Sequence, residues 1–235
     1  MDDNIIPDID LNSAIKECPY CDCKISPIYL RHTEEWFPDQ TVTYYVICKC
    51  PNTACNKIFF AKYSGEPFTY ELNGEYEHFL SVSKSETFPY TISELNLDKH
   101  INEISPDFIE TYKQALLADK MNLNKISGAG FRLAFETLIK DFVASLTPEK
   151  ADEIKSDTSV SNVINNRLPN KPMFEDIKGI ARRAWGLGCD SSHYVKEFTE
   201  FDIEDLKECI NITVASIVYY SKHQHYVNSI NKPKS

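Results

Sequence analysis

The chain has 235 residues, a mass of 27.0 kDa and a net charge of −10, and 42% of its residues are hydrophobic. This length suits one large domain or two small ones, and the charge excludes a protein that coats duplex nucleic acid through a global positive field. No apolar run approaches the ~18 residues that span a membrane, and the acidic N-terminus lacks the pattern of a signal peptide. We therefore expect a cytoplasmic protein without membrane contact. A local basic surface is compatible with the composition, since residues 41–65 contain three lysines, Lys49, Lys57 and Lys62, and no acidic residue.

Cysteines cluster near the N-terminus, where six of the eight lie between residues 18 and 55. In a cytosolic chain such clusters bind metal more often than they form disulfides. Two short knuckles stand out, a Cys-x2-Cys pair (Cys18 and Cys21) and a Cys-x4-Cys pair (Cys50 and Cys55). Tetrahedral Zn²⁺ takes two thiolates from each of two such turns. The spacing therefore predicts a structural zinc site closed by these four ligands.

Two further cysteines, Cys23 and Cys48, lie next to the predicted ligands. They either pack beside the site, replace one of the four ligands, or contribute to a second, incomplete site. The alternative to a metal site is a set of reduced cysteines with a purely structural role.

The N-terminal half is predicted to form a β-rich zinc-ribbon domain over residues 16–90, preceded by an acidic tail over residues 1–15. Asn73-Gly74 is typical of a hairpin turn between two strands. Segments rich in β-branched and aromatic residues predict strands at 41–48, 57–63, 68–72 and 78–83.

The apolar period changes near residue 105 and predicts an all-α bundle of four to six helices over residues 105–226. A linker at 91–104 precedes it and a tail at 227–235 follows it. Ser105 and Pro106 are typical of a helix N-terminus. The widest apolar stripe lies at 126–146, which is the expected central helix. The other predicted helices run from 106 to 117 or 121, and over 148–155, 159–168, 174–185 and 202–223.

Two clusters in the helical half contain residues that could carry chemistry. Arg132 and Glu136 are four residues apart on the central helix, which suits a surface ion pair or a pair that fixes a neighbouring loop. The second cluster covers residues 182–194, where Gly186 and Gly188 are predicted to end a helix.

Cys189 and His193 in that second cluster have the residue types of a nucleophile and its base. The spacing supplies neither an oxyanion hole nor an orienting group, so we do not expect cysteine catalysis. We expect His193 to hydrogen-bond within the bundle and to hold the loop. The other reading is a site that binds or cleaves phosphodiesters with an arginine and this histidine.

Four motifs occur in a characteristic order. The Cys-x-x-Cys ribbon precedes a helix of the type Gly-x-x-x-Arg-x-x-x-Glu, here residues 128–136. A segment of the type Leu-Gly-Asn-x-x-x-His-Tyr follows at 187–194, with Cys189 in place of the asparagine, and then Asp-x-x-Asp-Leu-Lys at 202–207. Over residues 18 to about 220 the chain resembles the bacterial domain-of-unknown-function family 4145.

This resemblance implies a helical domain similar to the HEPN superfamily, which includes metal-independent ribonucleases of toxin and antiphage systems as well as inactive binding members. Their ribonuclease motif is an arginine followed, after four to six residues, by a histidine. The corresponding residues here are Arg183 and His193, with nine residues between them, and Arg132 and Glu136 are expected beside them. Those ribonucleases usually build the site across a dimer of bundles, and relatives of the family occur with restriction and defence enzymes.

The sequence thus predicts an α+β protein, a small β zinc ribbon followed by an all-α HEPN-like bundle. The expected function is a zinc-binding interaction module of an antiphage or restriction-associated system, which forms a homodimer or docks to a defence-system protein through its bundle. RNA or DNA stays open as a partner of the ribbon, although the net charge does not point to it. The alternative is a metal-independent ribonuclease that uses Arg183 and His193. Zinc-dependent catalysis is not expected, because four thiolate ligands leave no open coordination position.

Overall fold

In the computed structural model, which describes residues 8–9, 15–72, 75–92, 95, 97–192 and 198–230, the chain divides into two compact units. Residues 1–94 form a sheet unit and residues 95–235 form a helical unit. The fold class is α+β, with the strands first and the helices after them, as predicted.

The sheet unit contains one five-stranded sheet in the order β1-β5-β4-β3-β2. Strands β2 to β5 form an antiparallel meander, and β1 pairs in parallel with β5. The bounds are β1 (Asp8–Ile9), β2 (Ile28–Trp36), β3 (Val42–Lys49), β4 (Ile58–Leu72) and β5 (Glu75–Phe88).

Three features of this sheet differ from the predicted strands. The predicted strands 57–63 and 68–72 are one continuous strand, β4, whose register against β5 shifts at Ser64/Gly65. Gly65 is required there, since a Cβ on it would lie 2.0 Å from the Ser81 carbonyl oxygen. Strand β2 was not predicted because it is an edge strand and eight of its nine residues are exposed. Strand β1 lies within the predicted acidic tail, and the predicted turn at Asn73-Gly74 lies outside the described residues.

One face of the sheet is packed. The register pairs Val46 with Ala61 and Cys48 with Phe59, and all four side chains are buried. Residues of the segment 15–25, which carries the first cysteine knuckle, belong to the same core. Because side chains alternate along a strand, the intervening residues of β3 and β4 lie on the opposite face.

The helical unit contains seven helices in its described part, one more than the upper end of the predicted range. A 3₁₀ turn (Pro148–Lys150) precedes the fourth helix and a π turn (Val163–Arg167) follows the fifth. The bounds are α1 (Lys99–Ile104), α2 (Pro106–Lys120), α3 (Asn124–Leu146), α4 (Ala151–Ser156), α5 (Val160–Asn162), α6 (Pro172–Ser192) and α7 (Ile203–Ser229).

Helix α3 is the central helix, as its wide apolar stripe predicted. It packs against α2, α4, α6 and α7. Phe131, Phe135, Leu138 and Phe142 recur at spacings of three and four, and all are almost completely buried.

Several helix ends differ from the prediction. Helix α1 lies within the predicted linker, and α7 extends into the predicted tail. Ser105 stands at the start of α2, but its hydroxyl donates to Asp141 Oδ2 at 2.6 Å and does not cap the helix. Helix α7 has the more complete cap, since the Asp202 carboxylate accepts from the Glu204 and Asp205 N–H groups and the Asp202 N–H donates to Asp205 Oδ2.

Helix α6 continues through Gly186 and Gly188, where the sequence predicted a helix end. A Cβ on Gly188 would lie 3.2 Å from Arg132 Cβ, so this glycine allows α6 to approach α3 closely. Packing between helices, not a C-cap, therefore explains Gly188. In the described part of the chain, no helix combines the length and the apolar character needed to cross a membrane.

Candidate metal centre

The first knuckle is a tight turn between residues 17 and 24. Glu17 and Lys24 form an antiparallel bridge, and the Cys18 N–H donates to the Cys23 carbonyl at 3.1 Å. Asp22, directly after Cys21, has a positive φ of 49°, and the Asp22 N–H donates to the Cys18 carbonyl at 3.0 Å. The turn brings Cys18 and Cys21 to the same side of the chain.

The second knuckle connects β3 to β4. The Cys50 N–H donates to the Lys57 carbonyl at 2.9 Å, which closes the turn at the ends of both strands. Asn56, directly after Cys55, has a positive φ of 50°, and asparagine is one of the few residues that adopt this region at low cost. The two knuckles thus share a left-handed residue after their second cysteine.

The four predicted ligands, Cys18, Cys21, Cys50 and Cys55, lie together, and their Sγ atoms are all within 4.8 Å of one another. The distance is 3.8 Å between the Sγ atoms of Cys18 and Cys55, and 3.9 Å between those of Cys21 and Cys50. A disulfide requires ~2.05 Å, whereas a tetrahedron with Zn–S bonds of ~2.3 Å has edges of ~3.8 Å. Two of the six distances between the sulfur atoms therefore match the edge of such a tetrahedron, and the four thiols lie close enough together to hold one metal ion.

The surroundings of the cysteine cluster act in different directions on its thiols. The Tyr20 N–H points at Cys18 Sγ at 3.5 Å. A hydrogen bond from the Cys23 backbone lowers the pKa of Cys21 to about 7. Burial acts in the opposite direction on Cys50 and raises its pKa to about 12. A buried thiolate needs a compensating charge, and a bound divalent cation supplies it.

The other two cysteines of the segment are not part of this cluster. Cys48 is fully buried on the packed face of the sheet, and its Sγ donates to the Val46 carbonyl at 3.9 Å. Burial raises the pKa of Cys48 to about 12, as expected for a core thiol. Cys23 is exposed, and its Sγ accepts from Asn52 Nδ2 at 3.4 Å. Both therefore pack beside the site.

Arg132 and Glu136, the first candidate pair of the helical unit, have other partners. The Arg132 guanidinium lies over the Trp185 ring, with Cζ 4.8 Å from the ring centroid. Glu136 Oε1 accepts from Lys140 Nζ at 2.6 Å. The two residues thus contribute to packing and to a salt bridge on α3.

Arg183 lies on α6 with an exposed side chain, and its Nη1 donates to the Gly179 carbonyl at 2.8 Å. It lines a cavity of about 420 Å³ between α6 and α7, together with Arg182, Phe198 and Glu208. His193 lies outside the described residues, so the predicted meeting of Arg183 and His193 stays a prediction.

Cys189 lies on α6 and is half-buried. Burial raises the pKa of its thiol, with Arg132 acting in the opposite direction. Burial thus disfavours the thiolate form of this cysteine.

One surface was not identified from the sequence. The face of the sheet opposite the packed one carries Tyr45 and Phe60, which are both exposed, next to Arg31 and Lys62. The run of lysines without acidic residues at 41–65 was the available signal. It could not be assigned to a surface, because β2 was not predicted and the register was unknown.

Comparisons with known proteins bear on this site and on the predicted family. No family model matches the chain, and no curated protein or solved structure matches it either. The resemblance to domain-of-unknown-function family 4145 therefore stays a prediction, and the geometry of the described residues carries the functional proposal.

Proposed function

We propose that the chain is an interaction module whose sheet unit is held together by a structural Zn²⁺ ion. The observation that carries this proposal is the group of four Sγ atoms within 4.8 Å. Two knuckles with two thiolates each are the ligand set and the geometry that Zn²⁺ prefers in structural sites. All four coordination positions are then occupied by protein, which leaves none for a substrate or a catalytic water.

The size of the sheet unit supports a structural role for the ion. Its core consists of one sheet face and the segment that carries the first knuckle. Cys18 and Cys50 belong to this core and are fully buried, so the site is part of the packing and not an appendage. Binding of Zn²⁺ to such small domains contributes ~10–16 kcal/mol, which exceeds the net stability of most domains.

The helical unit supplies the proposed docking surface. Helix α7 exposes apolar side chains at seven-residue intervals, Ile212, Tyr219 and Tyr226. This spacing places them on one side of the helix, away from the buried stripe that includes Ile210 and Ile217. Such a row favours docking to a second copy of the chain or to a protein partner, as the proposed module requires.

Metal analysis of the protein, purified without added metal, tests the proposal. We expect about one zinc per chain, and we expect Cys18→Ser to lose the metal together with the circular dichroism signal of the sheet. Cys23→Ser is the matched control, because Cys23 is exposed and outside the cluster; it should keep the zinc. A metal-free protein with a folded sheet unit, or a Cys18→Ser variant that keeps its zinc, would overturn the proposal.

The second candidate function is metal-independent RNA cleavage, which is favoured by the position of Arg183 at the cavity between α6 and α7. Arg182 lines the same cavity, and Asp205 and Glu208 provide acidic groups at its wall. Incubation with structured and single-stranded RNA in the presence of a chelator tests this candidate. If the parent chain cleaves RNA and the Arg183→Ala/His193→Ala double variant, at unchanged stability, does not, the chain is a ribonuclease.

A further inference from the structure

The unpacked face of the sheet is an ordered surface with a defined register. It is called here the open face and includes Arg31, Tyr45, Ile47, Lys49, Phe60 and Lys62; the same register places Thr33, Glu35, Ile58 and Glu86 on it. Arg31 pairs with Ile47 and Ile47 pairs with Phe60, so these three side chains form a row across β2, β3 and β4. Tyr45 pairs with Lys62 in the next row. Directly paired residues lie on the same side of a sheet.

Aromatic rings occupy the middle of the open face. Phe60 lies between Ile47 on β3 and Phe88 on β5 and is 55% exposed, although its chain neighbours Phe59 and Ala61 are buried. Tyr45 is 39% exposed, and its hydroxyl donates to Glu35 Oε2 at 2.9 Å, which orients the ring. Two rings on adjacent, hydrogen-bonded strands form a rigid platform for flat aromatic groups.

Positive charge surrounds these rings. Arg31, Lys49 and Lys62 lie on three neighbouring strands. Two carboxylates share this face, Glu35, which accepts from Tyr45, and Glu86, which lies 3.8 Å from Lys62 and 3.0 Å from Lys84. With Lys84 included, four cations stand against these two carboxylates. In a chain with a net charge of −10, this local excess of cations selects an anionic partner.

We propose that the open face binds single-stranded nucleic acid, with bases stacked on Phe60 and Tyr45 and phosphates in contact with Arg31, Lys49 and Lys62. Exposed rings combined with cations are the two elements of single-strand binding surfaces. A duplex hides the base faces and requires a larger positive field than this acidic chain provides. Because base faces and phosphates are common to DNA and RNA, both bind. The inference rests on the proposed function, in which the zinc-stabilised sheet unit is an interaction module.

Fluorescence anisotropy with the zinc-loaded full chain tests the inference. The probes are labelled oligo-dT, oligo-rU and a duplex of the same length. We expect both single strands to bind more tightly than the duplex. Phe60→Ala should weaken single-strand binding between about fivefold and 150-fold, the loss of one stacked base. Phe68→Ala is the matched control, because Phe68 is similarly exposed (49%) and lies eight residues further along β4, beyond the part of this strand that pairs with β3.

The salt dependence provides a second readout that does not depend on the aromatic substitution. For three phosphate contacts, the logarithm of the binding constant should fall with the logarithm of the salt concentration with a slope of about −2. The Lys49→Ala/Lys62→Ala variant should lower the magnitude of that slope by about 1.4. Metal content and circular dichroism of each variant show whether the sheet is folded.

Three results would overturn the inference. The first is that the folded, zinc-loaded protein binds neither single strand. The second is that Phe60→Ala and Phe68→Ala weaken single-strand binding equally. The third is that the protein is a dimer and that Phe60→Ala converts it to a monomer. Each of these leaves the zinc proposal intact, because zinc content is measured in the same samples. Conversely, a folded sheet without metal would overturn the zinc proposal whatever the anisotropy shows.

Discussion

Alanine at Gly186 should stabilise the helical unit. Gly186 lies inside α6, where glycine costs ~0.5–1 kcal/mol relative to alanine. A Cβ at this position would meet the Phe198 ring at 3.6 Å and 3.7 Å, which is ordinary van der Waals contact. Nothing opposes the gain in helix propensity, so we expect Gly186→Ala to raise the free energy of unfolding by ~0.5–1 kcal/mol.

Gly130→Ala in α3 is the comparison, because the same substitution should there have the opposite sign. Its Cβ would lie 2.9 Å from Ala115 Cβ and 3.3 Å from Ala115 Cα, so α2 and α3 must separate. Overpacking of this kind costs ~1–3 kcal/mol, which offsets the gain in propensity and leaves a net loss of up to ~2.5 kcal/mol.

Urea titration of the zinc-loaded protein, followed by far-UV circular dichroism, measures both changes. A change of 1 kcal/mol corresponds to roughly 2–4 °C in Tm for a unit near this size, which thermal unfolding detects. If Gly186→Ala lowered the stability by ~1 kcal/mol, Gly186 would have the left-handed C-cap conformation that its sequence pattern predicted. The continuous helix through residue 186 would then be refuted.

Two further predictions concern the same unit. Phe135→Ala should lower the free energy of unfolding by ~3–5 kcal/mol in a denaturant titration, because Phe135 is fully buried. Leu133→Ala, on the exposed side of α3, should change it by less than ~0.5 kcal/mol. Similar losses for the two variants would contradict the assignment of the core face. Lys222 Nζ and the His100 side chain and backbone donate to the Asp98 carboxylate and hold its pKa below its usual range. The resulting stabilisation is present above the pKa of the unfolded state, about 4, and is lost as the pH falls through the lower folded value. Asp98→Asn should therefore lower the urea midpoint at neutral pH, and the difference from the parent should shrink in acid; a difference that is independent of pH would contradict this role.

The sequence by itself identified the features that depend on local spacing. Cys18, Cys21, Cys50 and Cys55 could be singled out because a metal knuckle requires two thiols within one tight turn. The central helix α3 could be recognised because its apolar side chains recur with the period of a helix over six turns. Both signals involve residues that are neighbours in the chain.

Tertiary structure decided what depends on partners distant in sequence. Strand β2 forms where β3 offers it an edge, and its sequence lacks the alternation of apolar and polar residues that marks a strand. Gly186 and Gly188 have the spacing of a helix end, but α6 continues because packing against α3 outweighs a local preference of ~1 kcal/mol. The open face likewise arises only from the register that places Arg31 and Phe60 on either side of Ile47, and pairing between strands is not encoded in the spacing along any one of them.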